Sequence, residues 1–332
     1  MKKFLYLLIG VITLSACIDE DEYNDDPRGN FEALWHIMDE HYCFFHEKGV
    51  DWNEVHSRYS KQVDFDMTSH QLFEVLGNMI GELRDGHVNL SSPWDVARNW
   101  SWYEDYPDNY DDKLIDHYLG TDYNIASGMR YRLLDDNVAY LRCPTFQNAI
   151  GDGNLNEIML HFAAARGLII DLRENSGGLL TSAETLAARF TDDELLVGYM
   201  QHKTGTGHDD FSEMKEQKLK PSKGIRWHKP VVVLTNRKVF SAANEFVKYM
   251  KCCPHVTVVG DATGGGAGLP FSSELPNGWT VRFSACPMYD SNRQSTEAGI
   301  APDVNVALDD GDAAQLRDTI IEYARSLINS QG

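Results

Sequence analysis

From Asn137 to Gly260 short apolar runs alternate with stretches whose apolar residues recur at helical spacing. The runs predict strands at 137–142, 167–172, 195–202, 230–235 and 256–260. The spaced stretches predict helices at 154–165, 179–190 and 241–251. Such alternation implies a largely parallel sheet covered by helices. Beyond it, Phe271 to Phe283 reads as a hairpin about Pro276-Asn277-Gly278, and Leu316, Ile320, Tyr323, Ala324 and Leu327 mark a last helix.

Upstream the period is helical. Phe31, Leu34, Trp35 and Met38 form one stripe, and Leu72, Phe73, Leu76, Met79, Ile80 and Leu83 another. Asp51-Trp52 and Met67-Thr-Ser69 look like helix starts. Residues 29–90 therefore read as an N-terminal helical subdomain. Residues 91–135 form an aromatic-rich connector with Trp94, Trp100, Trp102, Tyr103, Tyr106, Tyr110, Tyr118 and Tyr123 among acidic residues. It is either a cap on the core or the wall of a substrate channel or interface. The polar stretch 203–229 is either a lid or a solvated excursion.

The leader changes the expected location. Residues 1–16 pair a basic start with an apolar run too short to span a bilayer. Leu14-Ser-Ala-Cys17 reads as a bacterial lipobox, which predicts a signal peptide of 1–16 and a lipid on Cys17. Residues 17–28 follow as an acidic linker. Its Ile18-Asp-Glu-Asp-Glu22 resembles the surface-export signal of Bacteroidetes lipoproteins, or is a plain tether. The expectation is an outer-membrane lipoprotein, exposed at the cell surface if that signal operates, with membrane contact through the anchor alone.

Composition narrows the partners. A formal charge of −20 repels phosphates, which argues against nucleic acid. Cys17 aside, Cys43, Cys143, Cys252, Cys253 and Cys286 are odd in number and lack zinc-finger spacing, so at most a pair bridges. No His-Glu-x-x-His pattern occurs, so neither a metal nor another cofactor is expected.

Candidate chemistry gathers at five places. Ser241 lies where the apolar run Val231–Thr235 gives way to a helix pattern, beside orphan N–H groups and a positive dipole end. A plain helix N-cap is the competing reading, although Asn244 cannot close a capping box. Gly177-Gly178 lies between a strand and a helix, where paired glycines expose N–H groups to an anion. His87 lies just past a helix in Leu83-Arg-Asp-Gly-His-Val-Asn-Leu90. Gly260-Asp-Ala-Thr-Gly-Gly-Gly-Ala-Gly268 is a flexible loop, and Glu297-Ala-Gly-Ile-Ala-Pro-Asp303 follows.

In chain order, Leu83–Leu90, Asp171-Leu-Arg-Glu-Asn-Ser-Gly-Gly178, Thr235-Asn-Arg-Lys-Val-Phe-Ser-Ala-Ala-Asn-Glu245, Gly260–Gly266 and Gly299-Ile-Ala-Pro-Asp303 resemble the tail-specific, or C-terminal processing, serine peptidases, over roughly residues 30–328. The branch resembled includes the tricorn core and the interphotoreceptor retinoid-binding modules. The resemblance implies a ClpP/crotonase-like α/β core over 136–332, and the short connector leaves no room for the PDZ domain many relatives carry. It implies Ser241 as nucleophile, His87 as general base, and an oxyanion hole from the Gly177-Gly178 turn and Ala242. The lysine of the Ser–Lys branch aligns with Gly266, which takes no proton, so that mechanism is not expected. Glu297 is the match for the acid, with Asp85 and Asp303 as alternatives. Substrates would be peptides or unfolded proteins. The competing readings are a silent relative that binds peptides or hydrophobic ligands, and an esterase; no Gly-x-Ser-x-Gly elbow is present. Oligomeric state is open.

Overall fold

A computed structural model describes residues 23–104 and 106–330. The leader, Cys17 and the first half of the acidic linker lie outside the described residues.

Two sheets organise the chain. In the first, Val304–Asn305, Val256–Gly260, Val231–Thr235, Leu168–Asp171 and Ala139–Arg142 run parallel in that order. Met129–Leu133 and Asn124–Ala126 extend it antiparallel. The core sheet thus begins inside the stretch that the sequence reads as connector. Side chains alternate between its faces, as strand geometry requires. Leu168 and Ile170 pack under the helices Asp152–His161, Leu180–Ala187 and Ala242–Met250. Ile169, Val232 and Leu234 pack against the helices Asp112–Leu119 and Thr319–Ser330. A run buried on both faces has no polar alternation, which is why Val231–Thr235 reads as continuous apolar sequence.

The second sheet is antiparallel. Its order is Val96–Arg98, Asn89–Ser91, Thr280–Tyr289, Leu195–Met200 and Lys215–Leu219, with Gly268–Glu274 also paired to Thr280–Tyr289. Two expectations change here. Leu195–Met200 reads as one more member of the parallel series but pairs with Met288 and Tyr289 in this sheet. The polar stretch 203–229 is neither a lid nor a free excursion. It supplies the strand Lys215–Leu219 and buries Trp227.

The N-terminal helices Pro27–His41, Trp52–Tyr59 and Ser69–Gly81 cover this second sheet, where Phe31, Leu34, Leu76 and Met79 meet Trp279, Val281 and Phe283. Their starts are capped. Asp51 accepts from the Glu54 N–H at 3.0 Å, and Thr68 and Gln71 form a reciprocal capping box. The last helix begins at Thr319, after Asp318 accepts from the Ile320 and Ile321 N–H groups at 3.0 Å. Leu316 lies before it, exposed and at φ 57°. The five described cysteines are free.

Arg173 ties the parallel strands to this helix. Its guanidinium contacts Asp171 at 2.7 Å and Asp318 at 2.9 Å, and all three side chains are fully buried. Removing the cation leaves two carboxylates unpaired in the core. Arg173→Met is expected to cost about 3–5 kcal/mol in urea unfolding, the usual loss for breaking one side of a buried pair. A loss within experimental error of zero would show that the cluster does not hold the helix.

Candidate active site

Ser241 ends a loop that leaves the parallel strand Val231–Thr235. Its N–H donates to the Gly265 carbonyl at 2.9 Å, and the Phe240 N–H donates to the Asn175 carbonyl at 3.1 Å. These bonds hold Ser241 at φ 55° and ψ −124°. A non-glycine residue there carries about 1–3 kcal/mol of strain, and such strain collects at functional sites. The helix begins one residue later, at Ala242, and the serine hydroxyl makes no capping bond. The hydroxyl instead lies 2.9 Å from His87 Nε2. The cap reading therefore fails at the side chain, while the Ser241 carbonyl still accepts the Glu245 N–H at 3.0 Å.

His87 comes from the other sheet. It lies in the turn between the helix Ser69–Gly81 and the strand Asn89–Ser91. Asp85 fixes the turn: its Oδ1 accepts the His87 N–H at 2.8 Å, and its carbonyl accepts the Val88 N–H at 3.0 Å. Its Oδ2 accepts from Ser284 Oγ at 2.9 Å and Tyr42 Oη at 3.1 Å. The His87 ring is buried and lies 4.9 Å from the Phe240 ring, centroid to centroid. Burial pushes its pKa down to about 4, against the opposing pull of Asp85; Arg282 and Lys48 push the same way as burial. The imidazole is therefore neutral at pH 7. Nδ1 is buried without a partner among the described residues.

Glu297 is not on that ring. Its Oε1 pairs with Lys48 Nζ at 2.8 Å, and its Oε2 accepts the Ala267 N–H at 2.8 Å. Burial and the Asp85 charge push its pKa up to about 8, against the pull of Lys48. It braces the loop that carries Gly265, the acceptor of the Ser241 N–H. Asp303 pairs with Lys251 and accepts the Val258 N–H, with no contact to the imidazole. Of the three carboxylates considered for the acid, Asp85 is the one bonded to His87, through its backbone.

The glycine turn lies against the serine. Gly177 donates its N–H to Asn175 Oδ1 at 2.9 Å and so cannot serve an oxyanion. The N–H groups of Gly178 and Ala242 have no partner among the described residues. Gly177 matters for its missing side chain, at φ 99°. A Cβ there would lie 2.7 Å from the Phe240 carbonyl oxygen and 2.9 Å from the Ala242 nitrogen. At Gly178 a Cβ would lie 2.3 Å from the Gln147 nitrogen.

Ser241 and His87 open on a cavity of about 550 Å³ walled by Trp100, Tyr103, Gln147, Glu174, Lys238 and Arg282. A larger polar cleft of about 1150 Å³ lies among the N-terminal helices without Ser241 or His87 in its lining. The aromatic segment divides: Trp100 and Tyr103 wall the site, whereas Tyr110 packs under the guanidinium groups of Arg142 and Arg173. Lys48, Tyr42 and Arg282 lie in no motif that the sequence singles out and were not legible as site residues. Asn244, noted only as a missing cap partner, accepts from Thr263 Oγ1 at 2.6 Å and donates to the Thr296 carbonyl at 3.3 Å.

The Peptidase family S41 profile matches residues 137–306, just over half the chain. The chain belongs to peptidase family S41. The Tricorn protease C1 domain profile matches residues 23–81. The S41 chain is 51% identical to a candidate peptidase from Parabacteroides merdae ATCC 43184 of known structure, covering 93% of this chain and 98% of that one, with a TM-score of 0.88. It is 26% identical to the carboxy-terminal processing protease CtpA of Bacillus subtilis (strain 168) over 53% of its own length and 36% of the relative's. It thus spans about a third of that curated relative. Mature CPAF, at 13% identity and a TM-score of 0.67 over 92% of this chain and 98% of its own, shares the fold. So does the tricorn protease, at 15% identity and a TM-score of 0.53 over 92% of this chain and 37% of its own.

Gly177→Ala tests the open space before the Ala242 N–H. Peptide turnover is expected to fall about 10²–10³-fold, the usual cost of losing one oxyanion donor, with an unchanged circular dichroism spectrum. Turnover within threefold of wild type would show that the space before the Ala242 N–H is not used.

Proposed function

We propose that this S41 peptidase hydrolyses peptide bonds through an acyl-enzyme on Ser241, with His87 as general base. The single observation that carries this is the 2.9 Å contact between Ser241 Oγ and the neutral ring of His87. In the tautomer with hydrogen on Nδ1, Nε2 accepts the hydroxyl proton as Oγ attacks the scissile carbonyl. The tetrahedral oxyanion takes the N–H groups of Gly178 and Ala242. The imidazolium returns the proton to the leaving amine. A water then repeats the sequence to release the acid.

The imidazolium formed during attack needs a negative neighbour. Asp85 supplies it through its field, since its oxygens bond the His87 backbone N–H and two hydroxyls rather than Nδ1. Glu297 contributes by holding the loop that anchors Ser241. Substrates are peptides or unfolded proteins entering along Trp100 and Tyr103. The unpartnered Nδ1 favours a second reading, a peptide-binding relative without turnover.

Digestion of a peptide library read by mass spectrometry separates the two. Cleavage in the wild type and its loss in Ser241→Ala support the peptidase; retention of cleaved bonds in that variant excludes it. The pH profile carries the electrostatics. His87 has its pKa lowered to about 4, so its base form persists above that pH and is lost only as pH falls through it. The acid limb of kcat/KM is expected near pH 4. A limb at pH 6.5–7 would mean an ordinary, solvated imidazole.

A further inference from the structure

Arg282 stands out in the cavity. It lies on the strand Thr280–Tyr289, in register with Asn89 on one side and Ser272 on the other. Asn89 is in turn in register with Arg98. Paired residues on antiparallel strands project from the same face. Arg98, Asn89 and Arg282 therefore form a row across one sheet face, its middle member two residues from His87. Asn89 and Arg282 both wall the cavity. The Arg98 guanidinium lies 4.7 Å from the Trp100 ring centroid, and Trp100 walls the same cavity.

The cavity's charges are unevenly matched. Lys238 pairs with Glu174 at 2.9 Å and with Asp108 at 3.5 Å. Glu174 is further held by Asn236 Nδ2 at 2.8 Å. The Arg282 side chain makes no hydrogen bond or ion pair among the described residues; its counter-charge is the field of Asp85, and it adds to burial in disfavouring protonation of His87. Asn89 adds a second unused group. Its Nδ2 donates to the His87 carbonyl at 3.0 Å, while its Oδ1 is buried without a partner among the described residues. An unpaired guanidinium beside an unpaired acceptor matches a peptide that offers a carboxylate and an N–H. In a chain of formal charge −20 the general field repels acidic ligands, so attraction must be local. Arginine suits that task because its planar fork pairs with a carboxylate through two parallel bonds.

We propose that Arg282, with Asn89 and the Arg98–Trp100 pair beside it, is a carboxylate-binding subsite that selects peptides carrying a carboxylate near the scissile bond. This rests on the peptidase reading of the same cavity. The carboxylate comes from an Asp or Glu side chain or from the free end of the peptide.

Binding to the Ser241→Ala protein tests the subsite apart from turnover. The probes are fluorescein-labelled heptapeptide pools with Glu or Gln fixed at each position in turn, each made with a free or an amidated C-terminus, read by fluorescence anisotropy. Carboxylate-bearing pools are expected to bind about tenfold more tightly than their neutral counterparts, as one charge-assisted contact allows. Adding Arg282→Gln should erase that difference while leaving the neutral pools within twofold, and Arg282→Lys should restore part of it. A preference confined to the Glu pools assigns the side chain, and one confined to the free ends assigns the terminus. Equal binding of acidic and neutral pools, or an equal loss for both with Arg282→Gln, overturns the proposal. If the pools show the carboxylate preference but the wild type cleaves none, the subsite stands and the peptidase reading falls. If cleavage occurs without that preference, the reverse holds.

Discussion

One contact, between Ser241 Oγ and His87 Nε2, draws on both halves of the molecule. The hydroxyl belongs to the parallel sheet and the imidazole to the turn that opens the antiparallel sheet. A separation of 154 positions is closed by packing, not by local geometry. The N-terminal helices hold the second sheet in place, so their apolar stripes serve the chemistry at one remove. The strained backbone at Ser241 makes the same point from the other side. That conformation persists because Gly265, Asn175 and the glycine turn surround it.

Beneath the contact lies a buried polar cluster of unusual composition. Asp85 and Glu297 are both buried, and the nearby cation paired with Glu297 is Lys48. Each carboxylate anchors one side of the site: Asp85 the turn that bears His87, Glu297 the loop that bears Gly265. The two arms are therefore fixed independently and meet at the hydroxyl. Burial raises the cost of charge on Glu297, and the Asp85 charge adds to it, which explains the high pKa of Glu297.

Much of this was legible from the residues. The parallel strands and their helices follow from apolar period, and Ser241, His87 and the glycine turn lie in short segments with recognisable chemistry. What was not legible depends on register and on distant pairing. Apolar alternation marks Leu195–Met200 as a strand but does not say which sheet it joins. Glu297 was assigned to the imidazole by resemblance, and nothing along the chain reveals that Lys48, 249 positions away, takes its carboxylate. Arg282 reads as an ordinary polar position of a half-exposed strand until its register with Asn89 places it in the cavity. Leu316 fits the helical stripe by spacing, yet Asp318 starts the helix beyond it.

The central claim is that the imidazole activates this one hydroxyl, and covalent labelling reads that most directly. The folded protein is treated with a fluorophosphonate and the modified peptide located by mass spectrometry, alongside His87→Ala. The account predicts a single adduct on Ser241 in the wild type and labelling slowed by at least about a hundredfold in the variant, the lower range for removing a general base. An unlabelled Ser241, or equal labelling rates with and without His87, would contradict it.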